Sequence, residues 1–357
     1  MRVPHYAMRP LAALALIGLV AGCGRDSTGP EEAPFDPAGT ISDIGTIEAT
    51  FQSDAMADFA GAAEAMGSAL GGTPAAMALR AAPSGALVSG DRSGARRYAG
   101  NLAKAWAAGP RMRPAPSSSA ILEEHLGVTF TRDPETLEYE PSDRPGAPSN
   151  GVRFIVYAVN PISGQPTSPL EEVGHADVEV TETTNSATIR IELVSDGVTY
   201  LDYAVGATGG ETSATITVQG FVSNGKDRVN FDLDVHFGEA ALGLDYSFHV
   251  PTRGNFRMDI EEEMKSDTLT SALELRGPHG SVTIEGTHSN SAGGSYEVEV
   301  NGDLVATITV PQGSEPVIAG ADGEELTEQQ LEALRTVFLM FLGGFDFFED
   351  LLDPLSF

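Results

Sequence analysis

The sequence predicts a mainly β protein, an up-and-down antiparallel meander of about a dozen strands forming a curved sheet or barrel. An amphipathic N-terminal helix and an apolar C-terminal helix are expected to cover or plug it. Three observations predict this. From residue 128 onward, short runs of alternating apolar and polar residues follow one another with no helical stretch between them. The connections carry turn chemistry, as in Ser195-Asp196-Gly197, Ser223-Asn224-Gly225 and Asn301-Gly302-Asp303. Two stretches with helical spacing flank that region, at 44–70 and from 327 to the C-terminus.

The bulk numbers bound the function. The 357 residues include 21 Lys+Arg against 51 Asp+Glu, a net charge of −30. A nucleic-acid or polybasic membrane-surface binder is thereby disfavoured, because neutralising phosphates needs clustered cations. An apolar content of 41% is enough for a real core. A single cysteine excludes intramolecular disulfides and Cys-rich zinc sites.

At the N-terminus, Arg2 and Arg9 flank the start of an apolar run at 11–21, the length of a signal-peptide core and too short to span a bilayer. The run ends in Val20-Ala21-Gly22-Cys23. This tetrapeptide resembles the lipobox of bacterial lipoproteins, with an aliphatic residue, two small residues and then cysteine. The resemblance covers only the first ~25 residues, and the sole cysteine of the chain falls at the required place. It implies that residues 1–22 are a signal peptide, that Cys23 carries the lipid, and that the protein is held on a membrane through it. Two or three acyl chains hold a protein stably where one is marginal. Cleavage would leave 19 basic against 51 acidic residues, a net −32. In Gram-negative members of that family an Asp after the lipidated Cys favours the inner membrane. Gly24 stands here, so the resemblance implies the outer membrane, with the body in the periplasm or at the surface.

Residues 23–43 read as lipid anchor and flexible tether, rich in Gly, Ser, Thr, Pro and Glu. Over 44–70, Ile47, Phe51, Met56, Phe59, Ala63, Met66 and Leu70 recur every three to five positions, which predicts one amphipathic helix ended by Gly71-Gly72. That segment and an Ala-, Pro- and Arg-rich connector, with a short helix around 95–107 carrying Trp106, extend to 126. The region 127–357 is expected to be the β domain with its C-terminal helix.

The first hairpin runs from 128–131 through Arg132-Asp133-Pro134-Glu135 to 137–139. Further strands are predicted at 152–159, 176–181, 187–194, 198–205, 212–222, 229–237, 242–250, 255–262, 269–275, 281–287, 295–300 and 304–310. Val229, Phe231, Leu233, Val235 and Phe237 share one face, and Arg228, Asn230, Asp232, Asp234 and His236 the other. One face is therefore dry and the other wet. A membrane-spanning barrel also alternates. The short runs at 176–181 and 295–300, below the roughly 9–11 residues a spanning strand needs, and the lipid anchor argue against one. Near the end, Thr327-Glu328-Gln329-Gln330 has the pattern of a capping box. Leu331, Leu334, Val337, Phe338, Phe341 and Phe345 follow it, an apolar helix suited to burial inside the sheet. The alternative is a peripheral amphipathic segment touching lipid, against which Asp346, Glu349 and Asp350 argue.

Nucleophile-elbow, Walker, His-Glu-x-x-His, EF-hand and dinucleotide patterns do not occur. The seven histidines never fall two or four residues apart, so no local metal-ligand spacing exists. One constellation stands out. Joining 237 to 242 places Asp234 opposite Asp245, and the next strand brings Asp259 or Glu261 alongside. Adjacent carboxylates repel, and a hard cation such as Ca²⁺ would relieve them. A solvated acidic face softened by Arg257 and Arg228 would show the same pattern. No cofactor is implied.

The reading is thus a lipid-anchored bacterial envelope protein of non-catalytic binding or structural type. The alternative is a carrier or sensor of an apolar ligand held inside the curved sheet. A hydrolase with an unrecognised carboxylate site ranks below both. No protein partner can be read from the sequence.

Overall fold

The computed structural model describes residues 34–80 and 120–352, apart from 161–162, 185, 210–212, 239–240, 267, 290–291 and 313–315; side chains are described up to Phe341. The lipobox with Cys23, most of the tether and the 95–107 helix with Trp106 lie outside the described residues.

Helix α1 (Pro37–Phe51) begins inside the stretch read as tether. Pro37 occupies its first turn, and the Asp36 carboxylate accepts from Ala38 N–H at 3.1 Å. Proline's fixed φ and an aspartate cap together explain the early start. Ile44, Ile47 and Phe51 supply the buried stripe. Thr46 and Thr50 are buried too, and their hydroxyls donate to carbonyls one turn back at 3.0 and 2.8 Å.

The single helix expected over 44–70 is two. Ser53 is extended, at φ −66° and ψ 157°, and a new helix α2 (Asp54–Ala69) starts after it. Serine competes with helical hydrogen bonding and favours such boundaries. A third helix, α3 (Pro74–Arg80), follows where a connector was expected, with Thr73 Oγ1 accepting from Ala76 N–H at 3.3 Å.

The β domain is one sheet of 15 strands: β1 (Val128–Arg132), β2 (Tyr139–Ser142), β3 (Gly151–Tyr157), β4 (Glu172–Glu182), β5 (Ser186–Ser195), β6 (Val198–Gly209), β7 (Ala214–Ser223), β8 (Arg228–Phe237), β9 (Leu242–Val250), β10 (Phe256–Lys265), β11 (Thr268–Gly277), β12 (Gly280–Ser289), β13 (Gly293–Val300), β14 (Asp303–Val310) and β15 (Val317–Gly320). From β3 to β15 every strand pairs with its sequence neighbour, antiparallel, as the alternation predicts. The sheet is open, with β15 at one edge and β2 at the other. Both edge strands have four residues, and β2 contains Pro141. Short edges and an edge proline limit pairing with another chain.

Three features differ from expectation. β1 lies between β2 and β3 and pairs with β3 in parallel. The runs at 176–181 and 295–300 are parts of longer strands of 11 and 8 residues. The length of β4 therefore does not argue against a spanning barrel, whereas the charged outer face described below does, since spanning barrels present an apolar band to lipid. β15 is an added strand. The two-residue loops Asp196-Gly197 and Asn301-Gly302 have positive φ at both positions, the mirror-image turn that suits hairpin twist.

The described helices sit on the dry face. Phe51 of α1 packs on Phe231 of β8, with ring centroids 6.3 Å apart. Asp58 of α2 accepts from Val159 N–H at 2.9 Å, and Tyr203 of β6 donates to the Ala78 carbonyl of α3 at 3.3 Å. The C-terminal helix α4 (Glu328–Leu352) opens with the predicted capping box. Thr327 N–H donates to Gln330 Oε1 at 3.0 Å, and Gln330 N–H donates to Thr327 Oγ1 at 3.2 Å.

One residue of α4 shows where the helix lies on the sheet. The Phe341 carbonyl accepts from the Tyr246 hydroxyl of β9 at 2.9 Å, and its ring centroid lies 6.1 Å from that of Tyr296 on β13. In a flat sheet, strands four apart are separated by about 19 Å. Phe341 thus bridges side chains of strands four apart, which places α4 over the dry face of β9 to β13, and the sheet does not close into a barrel. Among the described residues no helix is long and apolar enough to cross a membrane.

Candidate functional site

The outer face carries the acidic row read from the sequence. Asp234 pairs with Asp245, and Asp245 with Glu261. Beyond Glu261 the row continues through Ala272 to Glu285 and Glu297, so five carboxylates line up across β8 to β13. Asp259 lies one row away, opposite Ser247, and both its oxygens accept from Arg257 Nε at 2.7 Å. In that second row Asp232 is held above the usual carboxylate range, first by burial and then by repulsion from Asp234. His236 Nε2 lies 4.0 Å from Asp245 Oδ2, with both side chains about half exposed (53% and 55%). Among the described residues no three His, Cys, Asp or Glu side chains are grouped so as to hold a metal ion.

The same face is balanced on β3 to β6. Arg153 makes a two-pronged pair with Asp177 at 2.7 and 2.6 Å. Arg190 grips Asp202 through Nε and a terminal nitrogen at 2.8 and 2.9 Å, and reaches Glu179 at 2.9 Å. The negative field is thus concentrated on β8 to β13.

Polar groups also cluster at the strand ends beside α1. The imidazole of His279, in the β11–β12 turn, lies 3.5 Å from Asp36 and 3.6 Å from Asp43, and its carbonyl accepts from Asp36 N–H at 3.0 Å. Asp43 is buried, which raises its pKa against the opposing pull of His279 and Arg253. Asp227, also buried, accepts from Thr252 Oγ1 at 2.8 Å and from Arg253 at 3.4 Å. These contacts tie helix and turns together.

A third cluster lies inside. On β10, Phe256, Met258, Ile260 and Met264 face inward, and Glu262 shares their parity. It stands opposite Ser271 of β11, which stands opposite Gly286 of β12, which stands opposite Tyr296 of β13. A side chain on Gly286 would meet the Tyr296 ring, so the glycine leaves room for that ring to lie across β12 toward Ser271. Burial pushes the Glu262 carboxyl up to about 8, a cost the neighbouring Ser271 hydroxyl offsets only in part. Burial, and then the proximity of Glu262, hold the Tyr296 hydroxyl protonated. At neutral pH both groups are therefore neutral. The cluster's parity was legible in the sequence, but the run Glu261-Glu262-Glu263 reads as part of the wet face unless the inward positions are counted through it.

No family model matches the chain, and no curated protein or solved structure is detectably similar to it.

Proposed function

We propose that this chain is a lipid-anchored protein of the bacterial envelope, held through Cys23, preferentially at the outer membrane, and working by binding or structural support rather than turnover. The observation that carries this reading is Val20-Ala21-Gly22-Cys23 behind the 11–21 apolar run, with the chain's sole cysteine at the lipid position. The body is compatible with it. A tethered domain facing anionic headgroups benefits from standing off them, and the exposed row on β8 to β13 is acidic. The ion pairs on β3 to β6 and around His279 link strand to strand and helix to turn, which supports a structural use of these groups. The reading is tested by fractionating cells that express wild type or Cys23→Ala. Wild type should follow the membrane and the variant should become soluble; equal distribution, or turnover of a substrate by the purified protein, would overturn the reading.

A second reading is a carrier or sensor of an apolar ligand. It is favoured by one observation: the inner face holds Glu262, Ser271 and Tyr296 amid apolar side chains, with Tyr296 against Phe338 of helix α4. Solvent extraction of purified protein followed by mass spectrometry tests it. A stoichiometric amphiphile supports the carrier, and a ligand-free extract removes it.

A further inference from the structure

We infer that His279 is a proton-operated clasp on the first two turns of α1: charged, it holds residues 36–43 on the β11–β12 turn, and neutral, it favours their release. The inference rests on contacts made from both nitrogens of one imidazole ring. Nδ1 lies 3.5 Å from Asp36 Oδ2, and Nε2 lies 3.6 Å from Asp43 Oδ2. The His279 carbonyl also accepts from Asp36 N–H at 3.0 Å. The ring rests directly on the helix backbone, since a Cβ on Gly39 would lie 2.5 Å from its Cγ and 2.6 Å from its Cε1.

Apolar packing contributes little to holding these turns. The buried residues within 36–43 are Thr40 and Asp43, both polar, and the buried apolar stripe of α1 begins at Ile44. Phe35, just before them, is half-buried against the core. Thr40 spends its hydroxyl within the helix, donating to the Asp36 carbonyl at 3.1 Å. The Asp43 side chain is 4% exposed, and its Oδ2 accepts no hydrogen bond from a described group. Nearby positive charge is therefore what compensates that oxygen.

The charges around the ring fix the sign. From α1 it faces Asp36 and Asp43. Arg253, in the β9–β10 turn, also favours ionised Asp43, less strongly than His279 does, while Asp36 repels it. Arg253 in turn lies 3.4 Å from the buried Asp227 of the β7–β8 turn. On the strand leading to His279, Arg276 pairs with Glu274. An imidazole changes charge between about pH 5 and 8. Losing that charge leaves two carboxylates repelling each other across a neutral ring, one of them buried. Release sheds the imidazole proton, so it grows as pH rises, by up to about tenfold per unit.

Under the lipoprotein reading, release lengthens the reach between Cys23 and the domain. Residues 36–43 rise about 12 Å as helix and reach up to about 26 Å when extended. That consequence alone rests on the lipoprotein reading. The clasp does not, so its failure would leave attachment through Cys23 untouched.

The test is hydrogen exchange followed by mass spectrometry on the full-length protein in detergent, with protection corrected for the intrinsic pH dependence of exchange. Peptides spanning 36–43 should lose protection by up to about tenfold per unit from about pH 5 to 8, while α2 keeps its own. In His279→Gln, protection of 36–43 should be low at the acid end and independent of pH. Gly39→Ala gives a second reading. Alanine is the better helix former, so a helix start held by nothing else would gain protection. A clasped one should instead lose it at the acid end, because the new Cβ displaces the ring. A flat wild-type profile, an equal slope in His279→Gln, a gain of protection in Gly39→Ala, or parallel loss across α2 would overturn the inference.

Discussion

Replacing Gly220 by alanine probes how closely β6 and β7 approach on the inner face. Gly220 stands between Tyr203 and Phe231 in the paired strands, and those two rings lie 6.3 Å apart beside it. A Cβ at this position would sit 2.5 Å from Tyr203 Cα and closer still to the Asp202 carbonyl oxygen. Both are backbone atoms, so no rotamer change relieves the clash and the strands themselves must part. Overpacking of a tight core costs about 1–3 kcal/mol, and a backbone clash belongs at the upper end. In domains of 150–250 residues each kcal/mol moves Tm by about 2–4 °C, and less in longer chains, so a fall on the order of 5 °C is expected. The control is Gly243→Ala on the outer face of β9, where a Cβ would lie 3.7 Å from His236 Cβ, an ordinary contact. There, reduced freedom of the unfolded chain should stabilise by up to about 1 kcal/mol. Thermal melts followed by circular dichroism read both. A Gly220→Ala protein that melts at or above wild type, or a Gly243→Ala protein damaged as much as it, would refute the packing argument.

Three other substitutions have defined outcomes. Tyr246→Phe removes the 2.9 Å hydroxyl contact to the Phe341 carbonyl. It should cost about 1 kcal/mol in urea unfolding with an unchanged m-value. Asp245→Asn separates Asp234 from Glu261 in the acidic row, and should stabilise by a few tenths of a kcal/mol at low ionic strength. That gain should vanish near about 1 M salt; a gain that survives salt would mean repulsion is not its source. His279→Ala withdraws the imidazole whose protonated form favours ionised Asp43, so the Asp43 pKa should rise further. A raised carboxyl pKa contributes stability at low pH that is lost as pH rises through it, so the variant should fall behind wild type as Asp43 ionises at acidic pH, where an imidazole carries its charge. A pH-independent deficit would show that His279 acts by packing alone.

Much of the fold was legible because strand parity is a local property. Val229 to Phe237 and Leu242 to Val250 fix one another's register through a short connection, and that register places Asp234 opposite Asp245. What stayed hidden depended on contacts distant in sequence or on weak local signals. The parallel pairing of β1 with β3 follows from how the chain returns after β2, which no periodicity records. The break at Ser53 interrupts a stripe whose apolar spacing continues on both sides, from Phe51 to Met56. The continuation of the acidic row to Glu285 and Glu297 needed the registers of two further hairpins. Glu262 was missed because three consecutive glutamates read as solvent-facing. Inward-pointing Ile260 and Met264 on either side bury the middle one.

The central claim, attachment through Cys23, is tested most directly by the mass of the N-terminal peptide of the mature protein purified from membranes. The account predicts that the peptide begins at Cys23 and carries the added mass of a diacylglyceryl group, with or without a further acyl chain on its amino terminus. A peptide that begins elsewhere, or one that begins at an unmodified Cys23, would contradict it.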